Sequence, residues 1–118
     1  MFVSIIIFLG FAIGFDELSN SNPGVYVITN ELYEPLHLYK IGYTCKLKDR
    51  LSELNVASAY DFRPVFVVPT KKCRQLESIL HSKYEGHRVR REFFTLNEDN
   101  FTELIKMCSD FLISNKMC

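Results

Sequence analysis

Three charged side chains stand where the local sequence pattern favours apolar ones. Lys40 lies in the middle of the strand-like segment LYKIGYT, residues 38–44, and Arg50 and Glu77 each fall within a helical run of leucines. A charge among apolar side chains has to be paired, hydrogen-bonded or bound to an ion. A separate ion pair accounts for any one of these residues. All three together, beside the strand tyrosines, favour one shared polar site.

Helical geometry places a carboxylate and an imidazole next to each other. At about 100° per residue, Glu77 lies about 40° and His81 about 80° from Cys73 around a predicted helix. The apolar arc of that helix is completed by Leu76, Leu80 and Tyr84. Glu77 therefore lies inside the arc and His81 at its edge, on the same side.

The elements that must position these residues follow from periodicity and turn signals. Alternating β-branched and aromatic residues predict strands, and leucines at three- and four-residue spacing predict helices. The predicted strands are 24–30, 38–44 and 63–70 with a short extended piece at 92–96, and the predicted helices are 45–56, 71–84 and 98–113. The resulting fold class is α+β, a three-stranded, largely antiparallel sheet flanked by helices.

The charges are distributed unevenly in a chain whose formal net charge is zero. Residues 71–91 contain seven Lys or Arg and two Glu, a local excess of five positive charges. Such a face attracts phosphate, although a solvated helix face is an equally good reading of charge alone. The candidate nucleic-acid-binding residues are Lys71, Lys72, Arg74, Arg88, Arg90 and Arg91.

Length and composition are those of one ordinary globular domain of 118 residues, and they exclude disordered, collagenous and disulfide-dense classes. The four cysteines show no zinc-binding spacing and are expected to be free thiols.

The N-terminal segment is apolar. Residues 2–15 carry no charge, are short for a membrane span and fit a signal-peptide core, but no Lys or Arg precedes them. Four interpretations of residues 2–15 stay open: a signal peptide, an anchor in contact with a membrane, a segment packed on the domain, or a stretch outside the working fold. We therefore divide the chain into residues 1–18, of uncertain role, and a domain over 19–118. Localisation is undetermined, with an intracellular site favoured for the domain.

An ordered set of short motifs resembles the GIY-YIG endonuclease superfamily. Gly24-Val25-Tyr26 is followed by Lys40-Ile41-Gly42, then by Arg50 in DRLSEL, Glu77 in LESILH and the block REFFTL. Within that superfamily, the sequence most resembles the phage and large-DNA-virus branch, in which KIG replaces YIG. It covers about residues 24–112.

That resemblance implies metal-dependent hydrolysis of DNA phosphodiester bonds. Tyr26, alone or with Lys40, would activate the attacking water, and Arg50 would hold the scissile phosphate. Glu77 would bind one divalent ion, Mg²⁺ or Mn²⁺. An ammonium at position 40 would lower the pKa of Tyr26, or would itself act as a deprotonated base.

The resemblance also implies supporting roles for Gly42, Tyr43, His81 and Asn97. Leu54 stands where many members have a histidine, so His81 is the substitute or none exists. A chain of this length has no separate DNA-binding domain, so specificity would come from a protein partner, from a homodimer, or be low. The alternative function is a catalytically inactive nucleic-acid-binding or interaction module of the same fold.

Overall fold

A computed structural model describes residues 5–8, 11–14, 23–56 and 58–116 as an α+β fold. Seven strands form one sheet in these residues, in the order β2-β1-β5-β3-β4-β7-β6. The strands are β1 (Ile5–Phe8), β2 (Phe11–Gly14), β3 (Gly24–Thr29), β4 (Leu38–Thr44), β5 (Arg63–Pro69), β6 (Arg88–Arg90) and β7 (Phe93–Thr95). The helices are α1 (Leu47–Val56), α2 (Cys73–Lys83) and α3 (Glu98–Lys116).

The five strands from β3 to β7 pair antiparallel, so the predicted class is right and the predicted three strands are too few. The prediction missed β6, because its sequence Arg88-Val89-Arg90 reads as part of a charged loop. The chain turns back at Arg91 with a φ of 53°, and β6 then pairs with β7.

The sheet is covered on both faces. On one face, α1 packs Leu47 and Leu51 against Tyr26, Ile28 and Val67. On the other face, α2 and α3 cover a larger core, whose members include Val25, Val27, Ile41, Phe66, Leu76, Leu80 and Leu104. Strands β3 and β5 are therefore buried on both faces, which is why they read as continuous apolar runs. Each fully buried leucine in such a core contributes about 1.5–3 kcal/mol.

Side-chain oxygens organise the starts of the helices. The Thr44 and Thr70 hydroxyls accept hydrogen bonds from the backbone N–H of Lys46, at 3.2 Å, and of Lys72, at 3.1 Å. The helices then begin at Leu47 and Cys73, two residues later than predicted.

The predicted N-terminal segment lies only partly within the described residues, since positions 1–4, 9–10 and 15–22 fall outside them. Ile5–Phe8 pairs in parallel with β5 and antiparallel with Phe11–Gly14. Within the described part of the chain, no helix has the length and apolarity that a membrane crossing needs.

Candidate functional site around Gly42

Gly42 is the point on β4 at which the polar groups converge. It lies directly opposite Tyr26 of β3. A Cβ at Gly42 would lie 2.5 Å from the Tyr26 Cζ, closer still to the phenolic oxygen, and 2.9 Å from Glu92 Oε1. The strand therefore carries glycine because the Tyr26 ring lies across it, with a carboxylate at the ring's edge.

The Tyr26 phenol is buried and hydrogen-bonded to Arg50. The residue is 1% exposed, and the guanidinium of Arg50, on α1, is its hydrogen-bond partner. Burial raises the pKa of Tyr26; the nearby carboxylate of Glu92 raises it further, and the bond to Arg50 opposes the rise. The predicted shift toward phenolate is therefore wrong, since burial outweighs the nearby positive charge.

Lys40 is engaged by a carboxylate that the sequence did not single out. Its Nζ lies 3.2 Å from Glu92 Oε1 and 5.3 Å from the centroid of the Phe93 ring. Lys40 is opposite Ile28, so it is a diagonal neighbour of Tyr26 and not the directly opposed one. No signal in the sequence pointed to this carboxylate, because Glu92 stands at the start of the predicted extended piece 92–96, far in sequence from Lys40.

Glu77 and His81 lie along the part of the β4 edge that extends beyond β7. β7 pairs with Leu38–Lys40 only. His81 Nε2 is 2.8 Å from the Ile41 carbonyl oxygen, and the Glu77 carboxylate accepts a hydrogen bond from the Tyr43 N–H. These two side chains therefore satisfy backbone groups that a further strand would otherwise bond.

The Glu77 carboxylate is held at an electrostatic cost. Its side chain is 14% exposed, and His81 Nε2 is 4.0 Å from its Oε2. Burial raises the pKa of Glu77; the charge of Glu92 adds to that rise, while His81 and Lys40 oppose it. The prediction that Glu77 lies on the inward side of α2 with His81 beside it is confirmed by this geometry.

The donors present suit a hard cation only in part. A divalent ion reduces the repulsion between two carboxylates, and Mg²⁺ often takes one or two carboxylates and keeps several waters. Among the described residues no group of three or more His, Cys, Asp or Glu side chains could hold a metal. Any ion here would therefore rest on Glu77 or Glu92 and on water or a phosphate oxygen.

Two of the predicted supporting residues lie apart from Gly42. Asn97 caps α3 through reciprocal hydrogen bonds with Asn100, of 2.8 and 3.0 Å. The adjacent Leu96 N–H bonds to His37, at the opposite end of β4 from Gly42, so Asn97 does not join the site. The Tyr43 ring lies on the opposite face of the sheet, with the Arg74 guanidinium 5.5 Å from its centroid.

The predicted basic residues form two groups. Lys71, Lys72 and Arg74 line a groove of about 660 Å³ beside Tyr43 and Cys45. Arg90 and Arg91 are exposed at the turn between β6 and β7, next to Glu92.

Arg88 is committed to contacts within its own turn. It donates to Glu85 at 2.9 and 3.0 Å and to the Arg91 carbonyl oxygen, and its guanidinium lies 4.9 Å from the Phe94 centroid. It holds the turn in place.

Comparison with known proteins gives the family. The T5orf172 domain matches residues 24–109, and the chain belongs to that family. Uncharacterized protein 460R of Invertebrate iridescent virus 6 is 40% identical over 94 residues, covering 77% of this chain and 41% of the relative. Putative KilA-N domain-containing protein 315L of the same virus is 30% identical over 81 residues, covering 66% and 35%. No solved structure matches.

The predicted family is therefore wrong. The T5orf172 domain family is distinct from the GIY-YIG superfamily that the tripeptides resemble. Tyr26 and Gly42, one from each tripeptide, are directly opposed in the β3–β4 hairpin. The chain spans 41% and 35% of the lengths of the two viral relatives.

Proposed function

We propose that this domain binds nucleic acid and holds a backbone phosphate beside Gly42. The observation that carries the proposal is the hydrogen bond between the partly exposed Arg50 guanidinium and the Tyr26 hydroxyl, which lies against Gly42. A guanidinium donates in a planar fork that matches phosphate oxygens. A phenol whose pKa is raised stays protonated at neutral pH and donates as well.

The surrounding charge supports a polyanionic ligand. Arg90 and Arg91 are exposed beside Glu92. Lys71, Lys72 and Arg74 lie next to Tyr43, on the opposite face of the sheet, and are not part of this site. Membership of the T5orf172 domain family agrees with a module that acts on nucleic acid. The viral relatives are longer than this chain, so the proposal concerns nucleic-acid binding by this domain and not the sequence specificity of those longer proteins.

A salt titration tests the binding proposal. The dissociation constant of a labelled 20-base-pair duplex is measured by fluorescence anisotropy in EDTA across a range of salt concentrations. Arg50→Gln is expected to weaken binding about 10- to 100-fold, the usual cost of removing a charge-assisted hydrogen bond. It should also flatten the slope of log K against log salt by about 0.9 for each phosphate that the variant no longer neutralises.

The matched control is Lys106→Gln, because Lys106 is exposed on α3 and its ion pair with Asp110 is local. If Arg50→Gln and Lys106→Gln had the same duplex affinity and the same salt slope, the proposed phosphate site beside Gly42 would be refuted.

A second candidate function is metal-dependent hydrolysis of the bound phosphodiester. It is favoured by one observation: two carboxylates lie near the Tyr26 phenol, with Glu92 against Gly42 and Glu77 bonded to the next residue, Tyr43. Mg²⁺ or Mn²⁺ would neutralise charge on the phosphate and activate water when bound. Arg50 would stabilise the charge that develops on the non-bridging oxygens.

The geometry restricts the proton donors and acceptors in such a reaction. The neutral Tyr26 phenol acts as a hydrogen-bond donor, because burial keeps its proton in place. His81 Nε2 is occupied by the Ile41 carbonyl oxygen, so only its Nδ1 is available to exchange a proton. Lys40 is held by Glu92 and serves as a positive charge beside the phosphate.

Nicking of supercoiled plasmid, with Mg²⁺, with Mn²⁺ and with EDTA, tests this second function. Glu77→Gln and Glu92→Gln should abolish metal-dependent nicking, while Glu92→Gln should tighten duplex binding in EDTA because a repelling charge is removed. Absence of nicking by the unaltered chain, together with tight binding, would leave the domain as a binding module only.

A further inference from the structure

A second feature lies on the same sheet face as Gly42, at the other end of β4. It is an open, mainly apolar groove of about 520 Å³, lined by Tyr33, Leu38, Val89, Arg90, Arg91 and Phe93. Leu38, Lys40 and Gly42 alternate along one face of the strand, so the groove continues from the Gly42 site through Lys40. Leu38 and Gly42 are about 13 Å apart along that face.

The floor of the groove is a fixed aromatic cluster. The Tyr33 and Phe93 rings meet edge to face with centroids 5.4 Å apart, and Phe62 supports both at 6.1 and 6.5 Å. The loop that carries Tyr33 is held by Asn30, which is 2% exposed and accepts the Tyr33 N–H through its Oδ1 at 2.9 Å. The rings are thus ordered without a ligand, which reduces the entropic cost of stacking on them.

The wall of the groove is cationic. Among the described residues neither Arg90 nor Arg91 has an ion-pair partner, in contrast to Arg88, which is paired with Glu85. Arg91 also adopts a φ of 53°, a left-handed conformation that is strained for a residue other than glycine. The Arg88 side chain supports this conformation by bonding to the Arg91 carbonyl oxygen. The chain therefore holds a guanidinium at a turn where glycine would be less strained.

We infer that this groove binds one unpaired base of a nucleic acid strand whose backbone phosphate is held beside Gly42. The inference rests on the proposed function and narrows it to single-stranded or locally unpaired nucleic acid. Aromatic rings and guanidinium planes stack on the face of any base, whereas a paired base in a duplex offers no free face.

Charge decides between a nucleotide and an apolar peptide as the occupant. An apolar peptide would fill the aromatic floor but leave two exposed guanidiniums without partners. A nucleotide supplies the stacking face and the phosphate charge together, and Lys40, 5.3 Å from the Phe93 centroid, links the groove to the phosphate site.

The test compares ligands that differ only in their bases. A labelled 12-nucleotide oligothymidylate, an abasic sugar-phosphate strand of the same length and a 12-base-pair duplex are titrated into the full chain in EDTA. The oligothymidylate should bind about 5- to 150-fold more tightly than the abasic strand, the usual effect of stacking one base. Both strands carry the same charge, so this ratio is independent of the phosphate contacts.

Tyr33→Leu and Phe93→Leu should reduce that ratio towards one while leaving abasic-strand affinity unchanged. Tyr60→Leu is the matched control, because Tyr60 is an exposed tyrosine outside the groove. Arg91→Gln should weaken binding to both strands. Thermal melting of each variant establishes that it is folded.

The outcomes separate this inference from the proposed function. Equal affinity for the oligothymidylate and the abasic strand, with binding still dependent on Arg50, overturns the base site alone. Stronger binding to the duplex than to the oligothymidylate also overturns the base site. Absence of binding to all three ligands overturns both proposals, and a proline-rich peptide that binds with the same dependence on Tyr33 would identify the groove as a peptide site.

Discussion

The replacement of Gly42 by alanine perturbs the site by a single methyl group. The new Cβ would lie 2.5 Å from the Tyr26 Cζ and 2.9 Å from Glu92 Oε1. Ordinary contact needs about 3.5 Å, so the ring has to move by about 1 Å. It has no free direction, because Ile28, Leu47 and Val67 bury it from the other side.

The magnitude follows from two opposing effects. Overpacking of this kind costs about 1–3 kcal/mol. Alanine recovers about 0.5–1 kcal/mol relative to glycine, because it restricts the unfolded chain. The net loss is about 0–2.5 kcal/mol, which lowers the melting temperature of a domain of this size by up to about 10 °C.

The assay is thermal and urea unfolding monitored by circular dichroism. Gly86→Ala is the control, because nothing lies within 4 Å of a Cβ at Gly86. Adding Tyr26→Leu to Gly42→Ala should cost less than the sum of the single changes, because the shortened side chain clears the methyl group. If Gly42→Ala were as stable as Gly86→Ala, the Tyr26 ring would not lie across Gly42 and the site geometry would be refuted.

Three further predictions follow from burial and capping. Glu77→Gln should raise the free energy of unfolding by about 0.5–2 kcal/mol at neutral pH. Because the pKa of Glu77 is raised in the folded state, the folded chain holds a proton on Glu77 that the unfolded chain has already lost. The unaltered chain should therefore lose stability relative to Glu77→Gln as the pH rises through the folded-state pKa. A pH series of urea midpoints measures the difference, and parallel curves would contradict it. Asn97→Ala should cost about 1 kcal/mol of stability through loss of the helix cap and leave nucleic-acid affinity unchanged. A loss of affinity in the folded variant would show that Asn97 contributes to the site. Burial raises the pKa of the Cys108 thiol to about 12, so peptide mapping after alkylation at pH 8 should find Cys45 modified and Cys108 protected until the chain unfolds; early labelling of Cys108 would place α3 differently.

Much of the fold could be predicted, because its signals are local. Strand β4 has the predicted bounds, 38–44, and α3 begins at Glu98 as predicted. The Val-Phe-Val-Val run of β5 is buried as its composition indicated. Each of these features depends on residues within a few positions of one another.

What could not be predicted depends on register and on distant pairing. Tyr26 could be placed on the strand beside Lys40, but only the hairpin register shows that it faces Gly42. Glu92 reaches Lys40 across 52 residues of sequence, and no spacing rule connects the two. The predicted direction of the Tyr26 pKa shift was wrong, because that direction depends on how deeply the phenol is buried. The burial arises only when α1 packs on β3.

A nucleic acid phosphate beside Gly42 is the central feature of the proposed function. The most direct measurement is a ¹⁵N-correlated NMR titration of the full chain with an oligothymidylate in EDTA, which follows the Gly42 amide and the Arg50 Nε–H together. We predict that both signals move with one dissociation constant, that the Lys106 amide on α3 does not move, and that Arg50→Gln abolishes the Gly42 shift. Stationary Gly42 and Arg50 signals, while other signals report saturated binding, would contradict the phosphate site.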